Sequence, residues 1–252
     1  MKHNWSQFTH KSDRRYEDAL TTGETESLKT HNILDDGQLE IEFIQDVITA
    51  YFGNKLSGGA ALDICCGAGY MSRCLRDFNF QTTGIELNEH AVKLAQRLDP
   101  AGQYIVSDVT ELPTGVTSQR FDLILIREAH PLSRVADEIF HKKLISQYLE
   151  LLSPGGFMVI AHARNGGGMS YPSISYNMLG KFLKTKKLDY AGPLFMFCYK
   201  NLGMRSRNRL ILKLQSTLSY LISRLTNQRF IEFFILQRGK QSNIQPPNPQ
   251  KQ

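Results

Sequence analysis

An apolar run that ends in a glycine turn and reopens as a helix constrains this chain more than any other stretch. In Ala60–Leu75 (AALDICCGAGYMSRCL), Ala60, Ala61, Leu62 and Ile64 predict a buried strand, Gly67 and Gly69 a loop, and Tyr70 to Asp77 a helix. Small residues in such a turn let a ligand approach the backbone, and the first N–H groups of the helix can meet it. Something small and extended is expected to bind there.

The elements around this turn alternate. Leu39, Ile41, Phe43, Ile44, Val47, Ile48 and Tyr51 recur at helical spacing, so a helix is expected over Gly37 to Phe52, capped by Asp35 or Asp36 and stopped by Gly53. Strands are expected at Gln81 to Leu87, Gln103 to Val106, Phe121 to Ile126 and Phe157 to Ala161, with helices over Asn88 to Arg97 and Arg134 to Leu152. Leu194 to Tyr199 is expected to add a sixth strand and Phe230 to Leu236 a closing one. With 252 residues the chain can bury one sizeable core. The expected fold class is α/β: a doubly wound, mostly parallel seven-stranded Rossmann-like sheet with helical N-terminal and C-terminal lid elements.

Two cofactor classes use a glycine turn at this place. A dinucleotide fingerprint wants a third small residue where Ser72 stands and lays a pyrophosphate on the loop, which the Asp63 carboxylate would repel. A cationic ligand would instead be attracted. On Asp63, Cys65, Gly67 and Gly69 the chain resembles the class I S-adenosylmethionine-dependent methyltransferases, with Cys65 in place of the first glycine and expected to take an ordinary backbone conformation. Glu86, about 20 residues past the turn at a strand end, is placed to accept from both ribose hydroxyls. The resemblance implies that Leu87 follows it in the cofactor site and that Asp108 and the Val109 N–H meet the adenine. Arg127 joins these cofactor contacts. The match runs from about Leu39 to His162, where LLSPGGFMVI resembles the family's entry to its fifth strand.

The apolar strand FDLILI delivers Arg127, Glu128, Ala129, His130 and Pro131 at its carboxyl end, where ligands of open α/β sheets bind. His130 is the candidate base, Glu128 its orienting partner or a substrate ligand, and Arg127 a holder of carboxylate or phosphate. Tyr16, His130, Arg164 and Tyr171 are the candidate substrate contacts. Tyr16 lies in residues 1–35, which the resemblance implies to be a lid and composition alone allows to be a loose terminus, as are Trp5 and Phe8. Arg164 and Tyr171 bound a glycine-rich loop.

Charge is asymmetric. Residues 181–240 hold 13 Lys or Arg against Asp189 and Glu232, a balance of +11, within a net charge of +6. Leu210, Ile211, Leu214, Leu218, Leu221, Ile222 and Leu225 form an amphipathic stretch among these basic residues, an insertion at about 200–228 of a methyltransferase domain spanning 36–240. Residues 241–252 are polar and Pro-rich, and expected to be disordered. The expected reaction is methyl transfer from S-adenosylmethionine to an oxygen nucleophile on a small-molecule or lipid-linked, anionic or membrane-associated acceptor. The alternatives are an RNA or protein methyltransferase using the basic region, or a non-catalytic S-adenosylmethionine-binding partner subunit. Nucleic acid is disfavoured because Arg127 to Pro131 lacks the Asn/Asp-Pro-Pro-aromatic signature of amino-methylating enzymes. An oxidoreductase is disfavoured by Ser72 and the acids. Met1 to His10 is polar and no apolar run reaches the roughly 18 residues of a membrane span, so a cytoplasmic location is expected, with peripheral membrane contact through the basic helix. Four cysteines, two of them adjacent, predict free thiols and no metal site.

Overall fold

A computed structural model describes residues 6–23, 37–56, 58–164, 174–227 and 230–239. In chain order the elements are α1 (Ser6–Thr22), α2 (Gly37–Phe52), β1 (Gly59–Ile64), α3 (Tyr70–Asp77), β2 (Phe80–Glu86), α4 (Glu89–Leu98), β3 (Gln103–Val106), α5 (Thr114–Thr117), β4 (Phe121–Arg127) and α6 (His130–Ser133). They continue with α7 (Glu138–Leu151), β5 (Leu152–Arg164), α8 (Tyr176–Thr185), β6 (Asp189–Phe195), α9 (Phe197–Asn201), α10 (Arg209–Thr226) and β7 (Phe230–Gln237).

The strands form one sheet in the order β3-β2-β1-β4-β5-β7-β6. β1 pairs in parallel with both β2 and β4, so the order reverses there and a crevice opens at the carboxyl ends of these two central strands. β7 runs antiparallel to both neighbours, β5 and β6. Strand alternation sorts the core into two layers. Leu123, Leu125, Val159, Phe233 and Ile235 face Ile41, Ile44 and Ile48 of α2 and Met71 and Leu75 of α3. Ile124, Ile126, Met158, Ile160 and Phe234 face Leu144, Ile145 and Tyr148 of α7 and Leu179 and Leu183 of α8.

Three expected elements differ. The sixth strand is Asp189–Phe195, and Phe197–Asn201, which overlaps the end of the expected strand, is helical. A Gly192–Pro193 step breaks the apolar pattern and hides this strand in the sequence. The helix expected from Arg134 begins at Glu138, where the Asp137 side chain accepts from the N–H groups of Ile139 and Phe140. The fifth strand starts at Leu152 and includes Ser153–Gly156, with Gly155 at φ 82° and a register shift opposite Phe121 and Leu123. Asp35 and Asp36 lie outside the described residues.

Candidate active site

β1 ends in the turn the sequence announces. Gly69 donates to the Cys66 carbonyl at 2.9 Å, and Gly67 and Gly69 take φ of 52° and 72°. At Gly69 a side chain would strike the Tyr104 ring, so both the backbone and the space demand glycine. Cys65 departs from its expectation: its φ is 60°, the left-handed region that a glycine would occupy without strain. Glu128, at the tip of the neighbouring β4, is left-handed too, at φ 55°. The Cys65 sulfur accepts from the His130 backbone N–H, which ties the two strained tips together across the crevice. Burial pushes the Cys65 and Cys66 thiols well up, so both stay protonated.

Asp63, Glu86 and Asp108 lie at or just past the ends of β1, β2 and β3, three adjacent strands. Asp63 is buried and accepts from the Ser72 hydroxyl at 2.7 Å. Burial raises its carboxyl to about 7, against the pull of Ser72 and of the Arg127 charge. Burial also raises Glu86, although its carboxylate accepts the N–H groups of Asn88, Gly67 and Leu87 at 2.8–3.1 Å. Asp108 accepts from the Thr110 N–H and hydroxyl through a single oxygen, Oδ1. The Val109 carbonyl is held by the Tyr148 hydroxyl at 2.9 Å, which fixes that peptide. Leu87 is exposed beside Glu86.

One candidate residue sits elsewhere than its roles suppose. Arg127 is already engaged: its Nε and Nη2 donate to the two oxygens of Glu40 at 2.7 and 2.8 Å, and Glu40 is buried on α2. Burial opposes the Arg127 charge and the Glu40 carboxylate more than restores it. The fork that was to hold a substrate anion is therefore spent within the protein. Tyr16 lies against the glycine turn, where a Cβ on Gly67 would come within 3.0 Å of its hydroxyl. Its own helix is tied down by Arg97, which donates to the Ala19 and Leu20 carbonyls at 2.8 Å. Burial first, then the charge of Glu86, raises the Tyr16 hydroxyl, so it remains a neutral donor. His130 opens α6 at the β4 tip, and burial and the Arg134 charge lower its pKa, which leaves the imidazole neutral at pH 7. Tyr171 and the glycines before it lie outside the described residues, as do Trp5 and the side chains of Phe8 and Arg164.

The residues fit S-adenosylmethionine. Asp63 is a buried carboxylate whose ionisation burial disfavours, and the sulfonium and ammonium of this ligand would favour its charged form, while Glu86 at the next strand tip would meet the uncharged ribose hydroxyls. The sequence reading missed Glu40, although a charged residue on the apolar stripe of α2 marked it, and it used Ser72 only against a dinucleotide.

A seven-stranded sheet with β7 reversed, carrying an acid at each of three successive strand tips, is the architecture of the class I S-adenosylmethionine-dependent methyltransferases. The chain belongs to the methyltransferase domain family, whose model matches residues 36–183. It is 35% identical over 111 residues to 2-methyl-6-phytyl-1,4-hydroquinone methyltransferase of Synechocystis sp., covering 41% of this chain and 32% of that protein. It is 33% identical over 78 residues to malonyl-[acyl-carrier protein] O-methyltransferase of Pseudescherichia vulneris, covering 31% of this chain and 30% of the relative. The chain thus spans about a third of the length of these curated relatives. Among solved structures it resembles the plantazolicin methyltransferase BpumL with S-adenosylhomocysteine and a pentazolic substrate analogue, at a TM-score of 0.59 and 16% identity over 90% of this chain and 95% of that one. The N-methyltransferase NodS of Bradyrhizobium japonicum matches at a TM-score of 0.53 and 16% identity, over 82% and 98%. At such identities these two speak for the fold.

Proposed function

We propose that this chain transfers the methyl group of S-adenosylmethionine to an oxygen nucleophile on a small-molecule or lipid-linked acceptor. The row Asp63, Glu86 and Asp108 carries the reading. Among the matched relatives, one is named an O-methyltransferase of a carrier-linked malonyl group and the other is named for a phytyl-bearing hydroquinone, which supports an oxygen-rich acceptor that is small or carries a lipid chain.

When bound, the cofactor supplies a methyl group already activated on a sulfonium, so the protein's work is mostly alignment. Glu86 would accept the ribose hydroxyls with the lone pairs its three backbone donors leave. Asp108 and the Val109 N–H would hold the adenine, and Asp63 would face the cationic portion. His130, neutral at pH 7, would take the acceptor proton as oxygen attacks, with Glu128 beside it at the β4 tip.

Glu86→Gln is expected to weaken S-adenosylmethionine binding by roughly 10- to 100-fold, the range for losing hydrogen bonds to a charged group. The single amide oxygen of glutamine can keep the Leu87 and Asn88 N–H groups or the Gly67 N–H, not both sets, so the unfolding midpoint of the free protein is expected to fall by the little that one lost backbone hydrogen bond costs. Calorimetric titration decides it, and unchanged affinity removes Glu86 from the site. His130→Ala is expected to lower turnover about 100-fold while cofactor affinity stays within about twofold. Full turnover of a confirmed acceptor by that variant would exclude His130 as the base.

A further inference from the structure

Helix α10 (Arg209–Thr226) is amphipathic the wrong way round. Its inward face is Leu212, Gln215, Ser216, Ser219 and Ser223, all buried. Hydrogen bonds hold that face: Ser216 and Ser219 accept from the Phe195 and Cys198 N–H groups at 2.9 and 2.8 Å, and Gln215 donates to the Phe195 carbonyl at 3.1 Å. The apolar residues look outward. Leu210, Leu214, Leu221 and Leu225 are 76%, 64%, 50% and 86% exposed, and Ile211 and Leu218 extend the same row. At 3.6 residues per turn these six fall within an arc of about 100°, a continuous stripe rather than scattered leucines.

Charge selects the occupant. Lys213 and Arg224 flank one edge of the stripe, with Arg209 beyond them at the helix start, and α10 contains no Asp or Glu. A second copy laid on this stripe would bring cations against cations when antiparallel and would offer them no acidic partner when parallel. A bilayer bearing anionic lipids answers both features, since leucines enter the acyl boundary while Lys and Arg meet the headgroups. No helix among the described residues is long and apolar enough to cross a membrane, so the contact would be with the surface.

We propose that α10 docks this chain on an anionic bilayer, lying in the headgroup plane with Leu210, Leu214, Leu221 and Leu225 inserted. The helix also ends in a useful place. β7 begins with Phe230 opposite Arg164, at the carboxyl end of β5 and so on the rim where the strand tips open, and only three residues of the sequence separate it from the end of α10. Docking would set that rim near the membrane, whether or not the methyl-transfer reading holds.

The test is sedimentation of the full chain with phosphatidylcholine vesicles, with and without phosphatidylserine. Binding is expected only with the anionic lipid and should weaken as salt rises. Replacing Leu214, Leu221 and Leu225 together by Ser is expected to reduce it about 100-fold, with thermal unfolding no lower than that of the parent because these side chains are exposed. Lys213→Glu with Arg224→Glu should abolish the preference for phosphatidylserine. No binding to either vesicle overturns the proposal. So does a dimer in solution that the leucine variant dissolves while vesicles stay unbound, which would assign the stripe to a second copy. Binding to RNA that depends on the basic residues and ignores the leucines, again without vesicle binding, would overturn it too.

Discussion

Removing the Glu40 carboxylate is expected to destabilise the protein by about 3–5 kcal/mol, the cost of leaving a buried charge without its counter-ion. Glu40 reaches from α2 across the sheet face to Arg127 at the end of β4 and accepts from its Nε and Nη2. Both partners lie largely out of water, so neither recovers hydration when the other is lost. In Glu40→Ala the guanidinium must either drag water into the core or push α2 off Leu123 and Leu125. A loss of this size lowers the unfolding midpoint by about 10 °C in a domain of this length. The pair itself need not add net stability, because two desolvated charges start at a deficit. Glu40→Leu combined with Arg127→Met should therefore recover most of what Glu40→Ala loses. Denaturant unfolding of the single and double variants measures this, and a single variant within about 1 kcal/mol of the parent refutes it.

That ion pair also marks the limit of what sequence reading could see. The glycine turn, the acids after it and the apolar run of β4 were legible because each rests on local rules: period-two burial, turn glycines, and ligands at strand ends. Glu40 and Arg127 are 87 residues apart, and nothing local says that the cation offered to a substrate has a partner already. Cys65 was misjudged for a related reason. Its left-handed backbone belongs to the turn that carries the chain from β1 into α3, against the preference of the residue. For α10 the spacing gave the amphipathic helix and not its orientation. Periodicity measures how far polar and apolar faces are separated, and a serine face that hydrogen-bonds to Phe195 and Cys198 can be the buried one.

Asp63→Asn is expected to make the free protein more stable above pH 7 and a poorer ligand for S-adenosylmethionine. An aspartate ordinarily ionises near 3.8, and in the fold Asp63 does so at about 7 because it is buried. The folded state therefore holds this proton more tightly than the unfolded chain, and ionisation works against folding. The contribution of Asp63 is unopposed below about pH 4, declines as pH rises from there to about 7, and stays at its least favourable above that. Asparagine carries no charge at any of these pH values, and its amide oxygen can still accept from the Ser72 hydroxyl. The variant should match the parent near pH 4 and exceed it at pH 8 by an amount on the order of 2–4 kcal/mol. Binding should move the other way, because a sulfonium and an ammonium relieve the negative charge that makes Asp63 costly. At pH 8 the variant is expected to bind S-adenosylmethionine roughly 10- to 100-fold more weakly. S-adenosylhomocysteine, which lacks the sulfonium charge, should be affected less. Parallel stability–pH curves for the two proteins would show that the Asp63 carboxylate is not held at an electrostatic cost. Equal losses for both ligands would show that its charge is not what the site uses.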